Sequence, residues 1–148
     1  MTYIKKRSVY CAFLVPNMLK EKSILISVIK DSENENPVPE VWRAVFCDIV
    51  YAFSHRNYLI NSTIPMVNAL TVNEAQYIES YIESYGEKLT ELPIEAWETS
   101  IYLWMGDHWS VMIDLWTLGE GRSDLVLSAK VFESSNGYIV NIDMVYVP

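Results

Sequence analysis

The sequence predicts an α+β fold, with two or three helices packed on a four-stranded antiparallel β-meander and an N-terminal extension. Three observations predict it. A helical seam runs through residues 39–58, a capping box opens a second helix at Thr71, and four β-rich segments separated by turn residues fill the chain after about residue 97.

The first helix is read from Trp42, Phe46, Ile49 and Phe53, which recur at i, i+4, i+7 and i+11, the stripe of an amphipathic helix. It should run to about Tyr58. Pro39 and Glu40 suit a helix start, and His55 and Arg56 should fall in the last turn, where positive charge favours the dipole. The second helix is signalled by "TVNE", with Thr71 as N-cap and Glu74 three residues on. Ala75, Ile78, Ile82 and Tyr85 form its apolar stripe, and Gly86 is placed to stop it. The β segments are 98–105, 108–117, 124–133 and 138–147, divided by "MGD", "LGEGRS" and "SSNG". In the second, alternation sends Trp109, Val111, Ile113, Leu115 and Thr117 to one face and Ser110, Met112, Asp114 and Trp116 to the other.

Residues 1–37 are read as an extension packed on or beside a single domain spanning 38–148. The polar, proline-bearing "DSENENPVP" (31–39) is the candidate boundary. Two apolar runs, "VYCAFLV" and "SILISVI", precede it; the first reads as a strand, the second as a strand or the end of a helix. Basic residues ahead of the first run resemble a signal peptide. The run from Val9 to Val15 is short, however, and no small-residue cleavage site follows it. No stretch approaches the roughly 20 apolar residues of a membrane helix. Cys11 and Cys47 have no metal-type spacing and suit two thiols in a reducing cytoplasm, with one disulfide left open. A soluble, cytoplasmic protein is the expectation.

The net charge of −8 is uneven. Residues 1–30 carry six basic side chains and one acidic, a net of +5, while residues 31–148 carry five basic and eighteen acidic, a net of −13. Such an acidic body repels nucleic acid and steers toward basic partners.

Candidate sites follow from the polar residues among these elements. Asp107 and His108 sit at one predicted hairpin turn; Glu120, Arg122 and Asp124 sit at the next. Turns alternate between the ends of a meander, so the two clusters should lie about 25–30 Å apart and form no single catalytic site. Glu120, Arg122 and Asp124 suit a local ion-pair network, or an arginine held out for a carboxylate or phosphate. The acids Glu79, Glu83, Glu87 and Glu91, continued by Glu95 and Glu98, suit a docking face for a basic surface or a merely solvated face. Trp104 and Trp116 are candidate contact aromatics, and a tryptophan on the open sheet face is either roofed by the N-terminal segment or available to a partner. Glycine-rich phosphate loops, a nucleophile elbow, HExxH and EF-hand spacing are all missing from the sequence. No catalytic residue, metal or cofactor is therefore assigned.

Residues from about Pro39 to Pro148 resemble a bacterial family of small uncharacterised domains, on "PEVWRAVFCDIVYAF", "YGEKLTELPIEAWETS", "HWSVMIDLWT", "EGRSDLVL" and "VYVP". That family carries no established enzymatic activity, so the resemblance carries over no catalytic residues. In size and charge the chain is similar to immunity proteins that neutralise secreted bacterial toxins, an analogy that implies an acidic inhibitor of a basic, nuclease-like partner. Two other readings stand beside it: a small ligand-binding domain or enzyme with a pocket between helices and sheet, and a subunit that pairs with its own copies.

Overall fold

The computed structural model describes residues 27–60 and 64–148. The strand expected within residues 8–15 lies outside the described residues. The described chain enters as a short strap, residues 27–31, whose Val28 is buried in the core. It continues into a two-residue strand, β1 (Asn36–Pro37).

Helix α1 (Glu40–Ser54) buries Trp42, Val45, Phe46, Ile49, Val50 and Phe53, the predicted seam with its flanking positions. It ends four residues earlier than the apolar pattern suggested, and His55 and Arg56 lie beyond its last turn. The cause is a Schellman motif: Arg56 takes a left-handed conformation (φ 63°), its N–H donates to the Phe53 carbonyl, and the Asn57 N–H donates to that of Ala52. Helix α2 (Val72–Tyr85) is capped as predicted. The Glu74 N–H donates to Thr71 Oγ1 at 3.1 Å, and the Thr71 N–H donates to Glu74 Oε1 at 2.8 Å. Gly86 closes the helix at φ 88°, where any other residue would carry a Cβ penalty.

The sheet has five strands where the sequence pattern showed four, because β1 adds to the edge of β2. So short a strand leaves no periodic signal. β2 (Ile101–Trp104), β3 (Trp109–Thr117), β4 (Gly121–Ser134) and β5 (Gly137–Tyr146) follow in chain order, all antiparallel. β2 begins later than residue 98 because Ile94–Glu98 winds into a 3₁₀ turn. Ser100 closes that turn with its N–H and Oγ on the Ala96 carbonyl, and its Oγ accepts the Asp114 N–H from β3. β4 begins three residues before expectation, since Gly121 and Arg122 pair with Thr117 and Trp116 in the ladder. A bulge between Asp114 and Trp116 absorbs the register shift.

Both helices lie on one face of the sheet. Trp109, Val111, Ile113, Leu115 and Thr117 are buried on that face, and Ser110, Met112, Asp114 and Trp116 are half-buried on the other, the alternation read from sequence. Ala75, Ile78 and Ile82 fasten α2, while Tyr85 is only partly covered. Cys47, buried on α1, is disulfide-bonded, which corrects the expectation of thiols; Cys11 lies outside the described residues. Among the described residues no helix is long and apolar enough to cross a membrane.

Two substitutions separate local from tertiary stabilisation. Thr71→Ala removes the capping box and should cost about 1 kcal/mol. Ile113→Ala opens a cavity at a fully buried position and should cost about 2–5 kcal/mol. Urea unfolding reads both, and an Ile113→Ala variant as stable as the parent would contradict the core described above.

Candidate functional site

The meander separates the candidate residues as their turns implied. Asp107 and His108 lie at the β2–β3 turn, and Glu120 lies at the β3–β4 turn with Arg122 and Asp124 entering β4. These are opposite ends of β3, so the two groups form two corners of the molecule.

At the β3–β4 corner the acids collect around the C-terminal end of α2. The Tyr85 hydroxyl donates to Glu120 Oε1 at 2.8 Å and accepts the Asp124 N–H at 3.2 Å. The Thr117 hydroxyl also donates to Glu120, at 3.2 Å. The Glu87 carboxylate lies against Gly119, a position where a side chain would collide with it. Glu87, Glu120 and Asp124, separate features of the sequence, thus share one corner, Glu120 and Asp124 through the Tyr85 hydroxyl and Glu87 through its place against Gly119. The predicted Glu120–Arg122–Asp124 network does not form. Alternation turns Arg122 onto the open face with Trp116, and its Nε lies 3.6 Å from Asp114 Oδ2 instead. Glu83 is paired with Arg56, Glu91 is exposed, and Glu79 is half-buried on α2.

The β2–β3 corner is aromatic. Trp42 from α1 meets Tyr102, Trp109 and Tyr138 edge-on, with ring centroids 5.2–5.5 Å apart. Trp104 stacks at a tilt on Trp109 at 4.8 Å. The strap seals this cluster: Trp109 Nε1–H donates to the Ile29 carbonyl at 3.0 Å, and Lys30 bonds Glu133 at 2.8 Å. His108 Nδ1–H donates to Asp107 Oδ1 at 2.7 Å, and the imidazole lies 5.3 Å from the Phe132 ring. His108 thus braces its turn against β4. Lys30, Glu133 and Tyr138 escaped sequence reading because Lys30 and Glu133 stand 103 positions apart.

A third feature is a cleft of about 350 Å³ where α1 and α2 both end, lined by Phe53, Arg56, Tyr58, Ile82, Glu83 and Lys88. Burial pushes the Tyr58 hydroxyl above its usual pKa; Glu83 and Glu79 add to the shift and Arg56 opposes it. This cleft lies at the helix ends. The space between helices and sheet, the other place for a pocket, is filled by Trp42, Phe46, Phe53 and Trp109, each 0–1% exposed. Among the described residues no group of three or more His, Cys, Asp or Glu side chains is placed to hold a metal ion.

An antiparallel five-stranded sheet with two helices on one face, an acidic corner and an aromatic corner defines the class: a small α+β protein. Residues 50–148 match a family described as Domain of unknown function (DUF7668), and the chain belongs to that family. The match begins within α1 and takes in the whole sheet except β1. No curated protein and no solved structure matches the chain.

Burial also raises the Tyr102 and Tyr138 hydroxyls above 10.0. A phenol whose pKa is higher folded than unfolded stabilises the fold fully below its unfolded pKa, and the contribution disappears as pH climbs through the folded value. The melting temperature should therefore hold steady from neutral pH to about pH 10 and then fall steeply. Phenylalanine at Tyr138 should soften that fall; a melting curve indifferent to pH up to about 12 would show these hydroxyls to be solvated.

Proposed function

We propose that this protein is a binding module for one basic protein partner, docked at the acidic corner formed by Glu87, Glu120 and Asp124 and continued by Glu91. The observation that carries the reading is the charge of the described residues, eighteen carboxylates against six lysines and arginines, with three of the acids gathered where α2 ends. A helix C-terminus adds its own partial negative charge there. Such a field accelerates encounter with a positively charged protein and gives an on-rate that falls with salt. The partner chemistry fits a nuclease-like toxin domain with a basic cleft, so the specific form of the proposal is an immunity protein; nucleic acid and membrane surfaces are the wrong charge for this corner. Trp104, Asp107 and His108 lie at the opposite end of β3, and Trp116 and Arg122 turn to the open face beside the corner, so the docking proposed here uses none of them.

The helix-end cleft supports a second reading, a small-ligand site, because its volume falls within the range of ligand pockets and it joins an apolar floor to Arg56, Tyr58 and Lys88. A thermal-shift screen of small metabolites tests it. Shifts that disappear in Arg56→Ala would support the cleft, and none above background would discard it.

For the first reading, the full chain is used as bait at low and high salt. A basic partner should be captured at low salt, and reversing Glu87, Glu120 and Asp124 to lysine should abolish capture. Reversing Glu33, on the turn before β1, should leave it intact. Capture that ignores the triple reversal, or an on-rate independent of salt, would overturn the proposal.

The cytoplasmic site of action that the immunity reading requires is itself testable, because a stable Cys47 disulfide belongs to an oxidising compartment. Rapid alkylation in living cells followed by mass measurement should add two labels, one per cysteine, if the protein works in the cytoplasm. An unlabelled chain would place it elsewhere and remove the toxin-immunity form of the proposal while leaving the basic-partner form standing.

A further inference from the structure

The aromatic corner has a feature the acidic corner does not explain. Lys30 Nζ lies 5.0 Å from the centre of the Trp104 ring and 5.8 Å from that of Trp109. Both distances are within the roughly 6 Å over which a ring quadrupole attracts a cation. Behind them Tyr138 packs on Trp109, with ring centroids 5.8 Å apart and planes at 70°. Glu133 completes the rim, with its carboxylate 2.8 Å from the same Nζ. Two indoles and one carboxylate around a single ammonium are elements by which proteins recognise alkylammonium groups.

The occupant here belongs to the chain itself, and it sits at the mouth. The Lys30 side chain is 44% exposed and Trp104 is half-buried, so solvent reaches the ammonium while the deeper Trp109 ring is sealed. The backbone beneath is fixed independently of that charge, through the Trp109 Nε1–H bond to the Ile29 carbonyl and the burial of Val28. Withdrawing the Lys30 head group would therefore expose ring faces and a carboxylate without dismantling the strap.

We infer that the rings of Trp104 and Trp109 together with the Glu133 carboxylate form a binding site for an alkylammonium group, and that Lys30 is its resident, competing occupant. A neutral apolar ligand would leave Glu133 without a countercharge, and an anion would be repelled by it. A tethered lysine acts at an effective concentration on the order of millimolar or higher, so an outside ammonium must exceed that to enter the parent protein. The site is thus weak while Lys30 is in place and stronger once it is removed. This inference is independent of the acidic corner and of any basic partner docked there.

The test titrates tetramethylammonium chloride into ¹⁵N-labelled full-length protein, with sodium chloride at equal ionic strength as control, and follows the indole N–H signals. Lys30→Ala should bind about ten-fold more tightly than the parent, with the Trp104 and Trp109 signals moving and the other three tryptophans still. Lys30→Gln keeps the stem and removes only the charge; it should change affinity in the same direction, and it carries the test if the alanine variant loses its dispersed spectrum. Adding Trp104→Leu to either variant should abolish binding. Equal affinity in parent and variants would overturn the role of Lys30, and motionless Trp104 and Trp109 signals at tens of millimolar would overturn the site. Where binding is seen, a trimethyllysine peptide that outcompetes choline assigns a protein source for the ammonium, and the reverse order assigns a small molecule.

Discussion

Trp42 holds this fold together. It is the first large apolar residue of α1, it is 1% exposed, and its ring meets side chains from β2, β3 and β5 at once. Three strands that are not all neighbours in the sheet are thereby referred to one helix position. The docking of α1 sets where the strap can cross, because Trp109, against which Trp42 packs, also donates to Ile29. The contact has a cost. The Trp42 indole N–H is buried without a hydrogen-bond partner, a penalty of about 1–3 kcal/mol that the surrounding aromatic contacts must exceed.

The same meander that builds the core keeps charge and aromatic chemistry apart. Successive hairpin turns lie at opposite ends of the sheet, so "DH" and "GEGRSD", only a dozen residues apart in sequence, face different surroundings. One end receives the C-terminus of α2 and becomes acidic; the other receives the strap and becomes an aromatic cluster with Lys30 over its tryptophans.

Much of this was legible beforehand. The seam of α1, the capping box and Gly86 stop of α2, the alternation of β3 and the opposition of the two hairpin turns are all written in short-range spacing. The helix end at Ser54 was not, since a left-handed arginine breaks a pattern that apolar periodicity would have continued. The earlier start of β4 was hidden by turn-forming residues that enter the ladder once the bulge at Asp114/Trp116 resets the register. The site residues divide in the same way. Glu87, Glu120 and Asp124 were visible as acids, but Tyr85, which joins Glu120 to Asp124, looked like one more apolar position.

The amino-acid sequence by itself determined the α+β class, the faces of the helices and strands and the acidity of the body, because periodicity, capping and charge are properties of neighbouring residues. Tertiary structure alone decided which of those residues meet. Lys30 reaches Glu133, Trp42 reaches Tyr138 and Tyr85 reaches Asp124 only because the folded sheet and its helices carry distant stretches of chain to the same corner. No local spacing encodes such meetings, since the loop entropy they overcome is repaid by burial shared across the entire core.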